Sequence, residues 1–277
     1  MDINEVHLIT FSPTGTSRKV GEAIVGGTGI PSVRVMDLTL KAADATEVPA
    51  QALAVITVPV YGGHVAPVAL ERLKELHSAG APAVLVVVYG NRAYEKSLTE
   101  LDAFVSARGF KVIAGGTFIG EHSYSSAKYP IAAGRPDADD LAYARSFGEK
   151  IRAKIAAAAD REKLYGVDVA RIRRPRQPFI PLFRFLRKVV KWRKSGVPMP
   201  RTPEVDADRC THCGYCADHC PTGAIVKGDE CHTTPGKCIK CCACVKGCPR
   251  QARVYDTPFA PLLYDCFKRE KEDRIIL

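Results

Sequence analysis

Four cysteines, Cys210, Cys213, Cys216 and Cys220, stand in the spacing C-x2-C-x2-C-x3-C and are followed by Pro221. The same spacing recurs at Cys238, Cys241, Cys244 and Cys248, followed by Pro249. A thiolate is a soft ligand suited to iron with bridging sulfide, and a tight triplet with a distant fourth cysteine before proline is an iron–sulfur spacing. Zinc is the competing chemistry. Its usual sites take two C-x2-C pairs separated by a longer loop, which this run does not provide. Cys231, Cys242 and Cys266 fall outside the ligand spacing and are read as non-ligands.

The stretch from about Val205 to Val254 resembles the bacterial two-[4Fe-4S] ferredoxins. In that pattern three cysteines of one run and the fourth of the other hold each cluster. The resemblance therefore implies one cluster on Cys210, Cys213, Cys216 and Cys248. It implies a second on Cys238, Cys241, Cys244 and Cys220.

A second group of chemistry-bearing residues lies near the N-terminus. Ser12-Pro13-Thr14-Gly15-Thr16-Ser17 separates an apolar, β-branched run from a helical pattern. Hydroxyls and a glycine ahead of a helix N-terminus suit an anionic phosphate. No lysine stands where a P-loop needs one, and the glycines of a dinucleotide fingerprint are missing, so a monophosphate ester fits better. Two more glycine-containing loops follow apolar runs: Tyr61-Gly62-Gly63-His64, and Gly90-Asn91-Arg92-Ala93-Tyr94.

The elements that must hold these loops alternate. Strands are expected at 5–11, 32–38, 52–60, 83–89 and 110–118. Helices are expected after Gly15, after Pro67, to about Ala107 and over Asp137–Ala159. Such alternation predicts an α/β fold with a doubly wound, five-stranded parallel sheet whose ligands sit beyond the strand C-terminal ends. Residues 3–159 resemble the flavodoxins. Ser12, Thr14, Gly15 and Ser17 match the family's phosphate loop, and Gly90 to Glu95 matches its second flavin loop. The resemblance implies FMN, with Ser12, Thr14, Gly15, Thr16 and Ser17 on its phosphate. It implies Tyr94 stacked on the ring, and Tyr61, Gly62 and Gly63 near N5. Pro59, Gly90, Asn91 and Arg92 complete the expected flavin-binding set. Asn91 stands where the family has an acid.

Charge and cysteine usage constrain the rest. Ten of the eleven cysteines lie between Cys210 and Cys248, a distribution of metal ligands in a reducing compartment rather than of disulfides. No basic, apolar leader opens the chain, and its apolar runs are short, so a cytoplasmic location is expected. The net charge of +10 is concentrated: residues 161–201 carry 13 Lys+Arg against 2 Asp+Glu, while residues 1–160 carry 16 against 17. Within the basic segment, Leu182 to Lys194 has helical periodicity. Leu182, Phe183, Phe185, Leu186, Val189, Val190 and Trp192 are expected on one face, and Arg184, Arg187, Lys188, Lys191 and Lys194 on the other. This helix could pack between domains, receive an acidic redox carrier, or lie on a membrane surface. Nothing resembling a nucleic-acid module accompanies the charge.

The expected organisation is thus a flavin-binding domain at 1–160, a basic linker with an amphipathic helix at 161–201, and a small α+β ferredoxin-like domain with a tail at 202–277. Taken whole, the chain resembles the flavodoxin–ferredoxin fusions, the EFR-type ferredoxins of anaerobic bacteria. The resemblance implies electron transfer between two [4Fe-4S] clusters and FMN, coupling one- and two-electron redox partners. The alternative is a flavin-dependent oxidoreductase acting on a small molecule, with Ile119–Pro136 as a substrate lid.

Overall fold

The computed structural model describes residues 3–160 and 162–277. The chain forms two compact units. The first runs up to Gly120 and adds Gly134–Pro175 and Lys271–Leu277; the second comprises Glu121–Ala133 and Arg176–Glu270.

In the first unit the elements follow as β1 (Glu5–Thr10), α1 (Thr16–Thr28), β2 (Ser32–Asp37), β3 (Thr46–Val48), β4 (Ala52–Tyr61), β5 (His64–Val65), α2 (Pro67–Leu73), β6 (Leu76–Ser78), β7 (Pro82–Tyr89), α3 (Ser97–Ser106), β8 (Lys111–Ile119) and α4 (Ala138–Ala157). The main sheet is ordered β2-β1-β4-β7-β8, all parallel. Counting only these five strands, the order is 2-1-3-4-5, the flavodoxin-like doubly wound order. The five expected strands are all present, within one residue of their expected starts and ends. Val, Ile, Leu and Ala fill β4 and β7 because a central strand covered on both faces is apolar throughout. On one face α1 and α4 bring Val20, Ile24, Phe147 and Ile151 onto Val55, Val84 and Val86. These two helices touch backbone to backbone. A Cβ on Gly27 would lie 1.9 Å from the Arg145 carbonyl oxygen, and one on Gly148 would lie 2.0 Å from that of Ile24.

In the second unit, α5 (Phe179–Lys194) packs on a later helix, and β9 (Glu204–Val205) pairs antiparallel with β10 (Arg253–Val254). Between these strands lie the one-turn helices α6 (Tyr215–Asp218) and α7 (Ala243–Lys246), and after them α8 (Phe259–Phe267). Phe185 and Val189 of α5 join Leu263, Cys266 and Phe267 of α8 and Ile131 in a small core. Cys266 is a core residue there.

Three expectations change. The segment before α5 is not wholly a linker. Leu164, Val169 and Ile172 are buried, and residues up to Pro175 belong to the first unit. The chain's last strand, β11 (Arg274–Ile276), adds antiparallel to β8 at the sheet edge rather than staying with the cysteines. The loop expected as a lid is anchored: Ile131 is 1% exposed in the α5–α8 core, and Glu121 pairs with Lys246.

The amphipathic helix also differs from its pattern. Phe185 and Val189 are buried and Leu182 and Trp192 half-buried, but Phe183, Leu186 and Val190 face solvent with Phe179 and Ile180, at 50–80% exposure. The seven apolar residues form two stripes, since positions 182, 185, 189 and 192 lie on a different helical face from 179, 183, 186 and 190.

Candidate functional site

The eight patterned cysteines line two cavities. Cys210, Cys213, Cys216 and Cys248 line the first. Cys220, Cys238, Cys241 and Cys244 line the second, together with Cys242. The fourth cysteine of each run has crossed to the other run's cavity. All eight are unbridged thiols.

The local chain explains how. The two runs are a backbone repeat offset by 28 residues. Left-handed residues recur at His212 and Lys240, at Gly214 and Cys242, and at Gly223 and Gln251. Gly214 and Cys242 are the N-caps of α6 and α7. Cys242 thus occupies a turn position, and its thiol donates to the Lys240 carbonyl at 3.6 Å. The N–H of Ala224 donates to Cys220 Sγ at 3.2 Å, and that of Ala252 to Cys248 Sγ at 3.3 Å. Backbone N–H groups aimed at sulfur stabilise a thiolate.

Burial opposes ionisation of the bare thiols. It pushes Cys241 up to about 12 and Cys244 up to about 11, and raises Cys216 and Cys238 as well. Ligands must be deprotonated, so a metal centre here must supply the compensating positive charge. Four patterned thiols at each cavity, with N–H donors on sulfur, fit iron–sulfur clusters in donor type and number.

Charged groups share the first cavity. Arg253 and Glu230 both line it, at 4% and 2% exposure. The Glu230 carboxylate accepts from the Gly228 N–H at 3.0 Å and lies 3.0 Å from His212 Nδ1. These bonds hold its pKa down at about 2. The sequence reading missed Arg253 and Glu230. Superposing the two cysteine runs at their 28-residue offset would have flagged Arg253, which falls opposite Ile225.

The sheet edge presents a second set of residues. Gly15, with φ of 78°, caps α1, and the Thr14 and Thr16 hydroxyls lie 3.0 Å apart. Ser17 is buried. Ser12 accepts the Arg18 N–H at 3.1 Å through Oγ, so its hydroxyl caps the helix. Gly120, at the end of β8, abuts this loop; a Cβ there would lie 2.5 Å from Thr16 Cγ2. A helix N-terminus with two adjacent threonine hydroxyls fits a phosphate ester. Tyr61, Gly62 and Gly63 close the β4–β5 hairpin, where both glycines have positive φ. Pro59, half-buried in β4, accepts the Ala66 N–H through its carbonyl.

The loop after β7 differs from its expected role. Tyr94 is 3% exposed, edge-on to Tyr89 at 5.6 Å, and its hydroxyl donates to the Ile172 carbonyl. Its ring offers no open face for stacking. Asn91 is fully buried, and its Oδ1 accepts the Lys271 N–H at 2.9 Å. Arg92 pairs with Glu95, and the Gly90 carbonyl accepts the Arg92 N–H. Both partners of Tyr94 and Asn91 lie far along the chain, which hid these roles from a local motif.

A family described as 4Fe-4S binding domain matches residues 203–226, which supports at least one such cluster. An uncharacterized polyferredoxin-like protein of Methanocaldococcus jannaschii is 37% identical over 59 residues, 21% of this chain. The match spans only 26% of that protein's length. Among solved structures, a flavodoxin from the domain Archaea has a TM-score of 0.37 at 12% identity, covering 55% of this chain and 99% of its own. A Streptococcus pneumoniae flavodoxin has a TM-score of 0.39 at 16% identity, covering 54% and 99%. Rubredoxin oxygen:oxidoreductase of Desulfovibrio gigas has 0.36 at 13%, covering 56% and 37%. At these values the likenesses say nothing about what this chain binds. The strand order and the cysteine repeat carry the fold: a flavodoxin-like doubly wound sheet joined in one chain to a ferredoxin-like 4Fe-4S region.

Proposed function

We propose that this chain is an electron-transfer protein holding two [4Fe-4S] clusters and FMN. The observation that carries the reading is the crossed sorting of the eight patterned cysteines, four to each of two cavities. A structural zinc site needs four ligands around one ion and no such crossing. Bound clusters would each pass one electron, and FMN would hold one or two, so together they couple one- and two-electron partners. On the flavin side, Thr14, Thr16, Ser17 and the N-terminus of α1 would hold the phosphate, and the Gly62-Gly63 turn would lie beside the ring. The half-exposed Tyr61, at the end of β4 beside that turn, would then face the ring.

Its partners would be acidic redox carriers. Arg184, Arg187, Lys191, Arg193 and Lys194 of α5 are exposed and have no acidic partner among the described residues. Complementary charge there would raise association rates.

Anaerobic purification with iron, sulfide and flavin analysis tests the reading. About eight irons and eight sulfides per chain are expected, with one FMN. A colourless, zinc-loaded protein would sink it.

A further inference from the structure

The two cysteine runs share their left-handed backbone positions and their N–H···S bonds but differ at a buried position after the fourth cysteine. After Cys220 the chain reads Pro221-Thr222-Gly223-Ala224-Ile225; after Cys248 it reads Pro249-Arg250-Gln251-Ala252-Arg253. Ala224 and Ala252 make matching N–H···S bonds, so Arg253 stands where the first run has Ile225. Both side chains are 4% exposed. Ile225 lines the cavity of Cys220, Cys238, Cys241 and Cys244, and Arg253 lines that of Cys210, Cys213, Cys216 and Cys248.

Arg253 does more than fill that position. One Nη1 donates to Thr233 Oγ1 at 3.1 Å and reaches Cys244 Sγ at 3.9 Å; Nη2 donates to the Glu230 carbonyl. Its guanidinium therefore lines one cavity and touches a thiol of the other. No carboxylate among the described residues forms an ion pair with it. A buried cation without a carboxylate is costly unless negative charge is supplied nearby. Four thiolates around a cluster supply it. Glu230 also lines the cavity of Cys216, and it is absent from the lining of the cavity of Cys244, which the guanidinium reaches at 3.9 Å.

We infer that Arg253 raises the reduction potentials of both cluster sites, and that Glu230, which lines only the cavity of Cys216, lowers the potential of that site. This rests on the two-cluster reading above. The step is an outer-sphere transfer: a one-electron donor is oxidised, the cluster is reduced, and no bond forms or breaks. The cluster gains one negative charge, which a fixed cation in a low-dielectric site stabilises. An isoleucine in the same place would give no such stabilisation.

The test is an anaerobic titration of the cluster-loaded full chain, reduced with dithionite through mediators and followed by EPR. Arg253→Met should lower both midpoints. At the more affected site the reduced-to-oxidised ratio at fixed potential should fall at least tenfold, a 59 mV shift for one electron. Arg253→Lys keeps the charge and should recover most of that shift. Glu230→Gln keeps the acceptor for Gly228 and should raise one midpoint only. Unchanged midpoints in Arg253→Met at full iron content would overturn the inference, as would an Arg253→Lys shift equal to that of Met. Should the methionine variant fail to assemble, Lys and Gln decide: one midpoint rising in Glu230→Gln with little change in Arg253→Lys supports it, and any other pattern overturns it. Wild-type iron near four per chain, rather than about eight, marks failure of the two-cluster reading instead.

Discussion

Cys248 shares a cavity with Cys210, and not with Cys244, its neighbour four residues back in the chain. This crossing makes each site depend on both runs. Cys210→Ser and Cys248→Ser should therefore damage the same cluster, and Cys220→Ser and Cys238→Ser the other. The double variant Cys210→Ser/Cys248→Ser should keep about four irons, whereas Cys210→Ser/Cys220→Ser should keep few. Equal iron loss in the two doubles would show that each run closes its own site. Cys266→Ser should leave iron content unchanged, because Cys266 sits in the α5–α8 core.

What could be read from the sequence follows the range of the interactions. The parallel strands were legible because each is a local apolar run, and the cysteine spacing was legible because it is a local pattern repeated within one short stretch. Tyr94 and Asn91 were not. Their roles depend on Ile172 and Lys271, 78 and 180 residues away, which no local motif encodes. The tail strand β11 was hidden because Arg-Ile-Ile carries no period of its own. It becomes a strand only through the free edge of β8. The helix over Leu182–Lys194 was legible as a helix, but its apolar residues were assigned to one face when the fold uses two.

The phosphate loop can be tested by separating capping from binding. Thr14→Ala/Ser17→Ala removes hydroxyls expected on the phosphate, each worth about 1.5–3 kcal/mol in a charge-assisted bond. FMN affinity should fall tenfold or more, measured by fluorescence titration, with little change in thermal stability. Ser12→Ala should behave in the opposite way. Its Oγ accepts the Arg18 N–H, so the loss is a helix cap worth about 1 kcal/mol. Undiminished FMN binding in the double variant would move the phosphate elsewhere.

Asp273 gives a pH prediction. Its Oδ1 accepts the Ile119 N–H at 2.7 Å; burial, then the nearby Asp140 carboxylate, push its pKa up to about 7. The folded protein thus holds a proton that the unfolded chain releases in the ordinary carboxylate range. Its contribution to stability is full below that range and is lost as pH rises through about 7. Asp273→Asn keeps an acceptor for Ile119 and cannot ionise. Between about pH 5 and 8 its melting temperature should fall less than that of the wild type. Parallel curves for the two proteins would show that Asp273 does not titrate there.

The exposed face of α5 allows charge and apolar surface to be tested separately. Lys188 is held by Asp265 at 2.7 Å and is best left alone, since reversing it would place two acids together. Arg184, Arg187 and Lys191 are exposed and carry no such bond. Reversing these three to Glu should slow reduction by an acidic carrier several-fold at low salt. The effect should vanish near 0.5 M salt, where screening acts over a few ångströms, and reduction by a neutral dye should be unchanged. A second variant replaces Phe179, Phe183 and Leu186 with Ser, keeping every charge. If the partner is an acidic carrier steered by charge, this variant should keep its salt-dependent rate. A membrane surface would need both sets of residues, because apolar burial holds such a helix in place and charge only selects anionic lipid. Loss of binding to anionic vesicles in both variants, with carrier kinetics unchanged in the charge reversal, would therefore assign α5 to a bilayer and remove it from carrier docking.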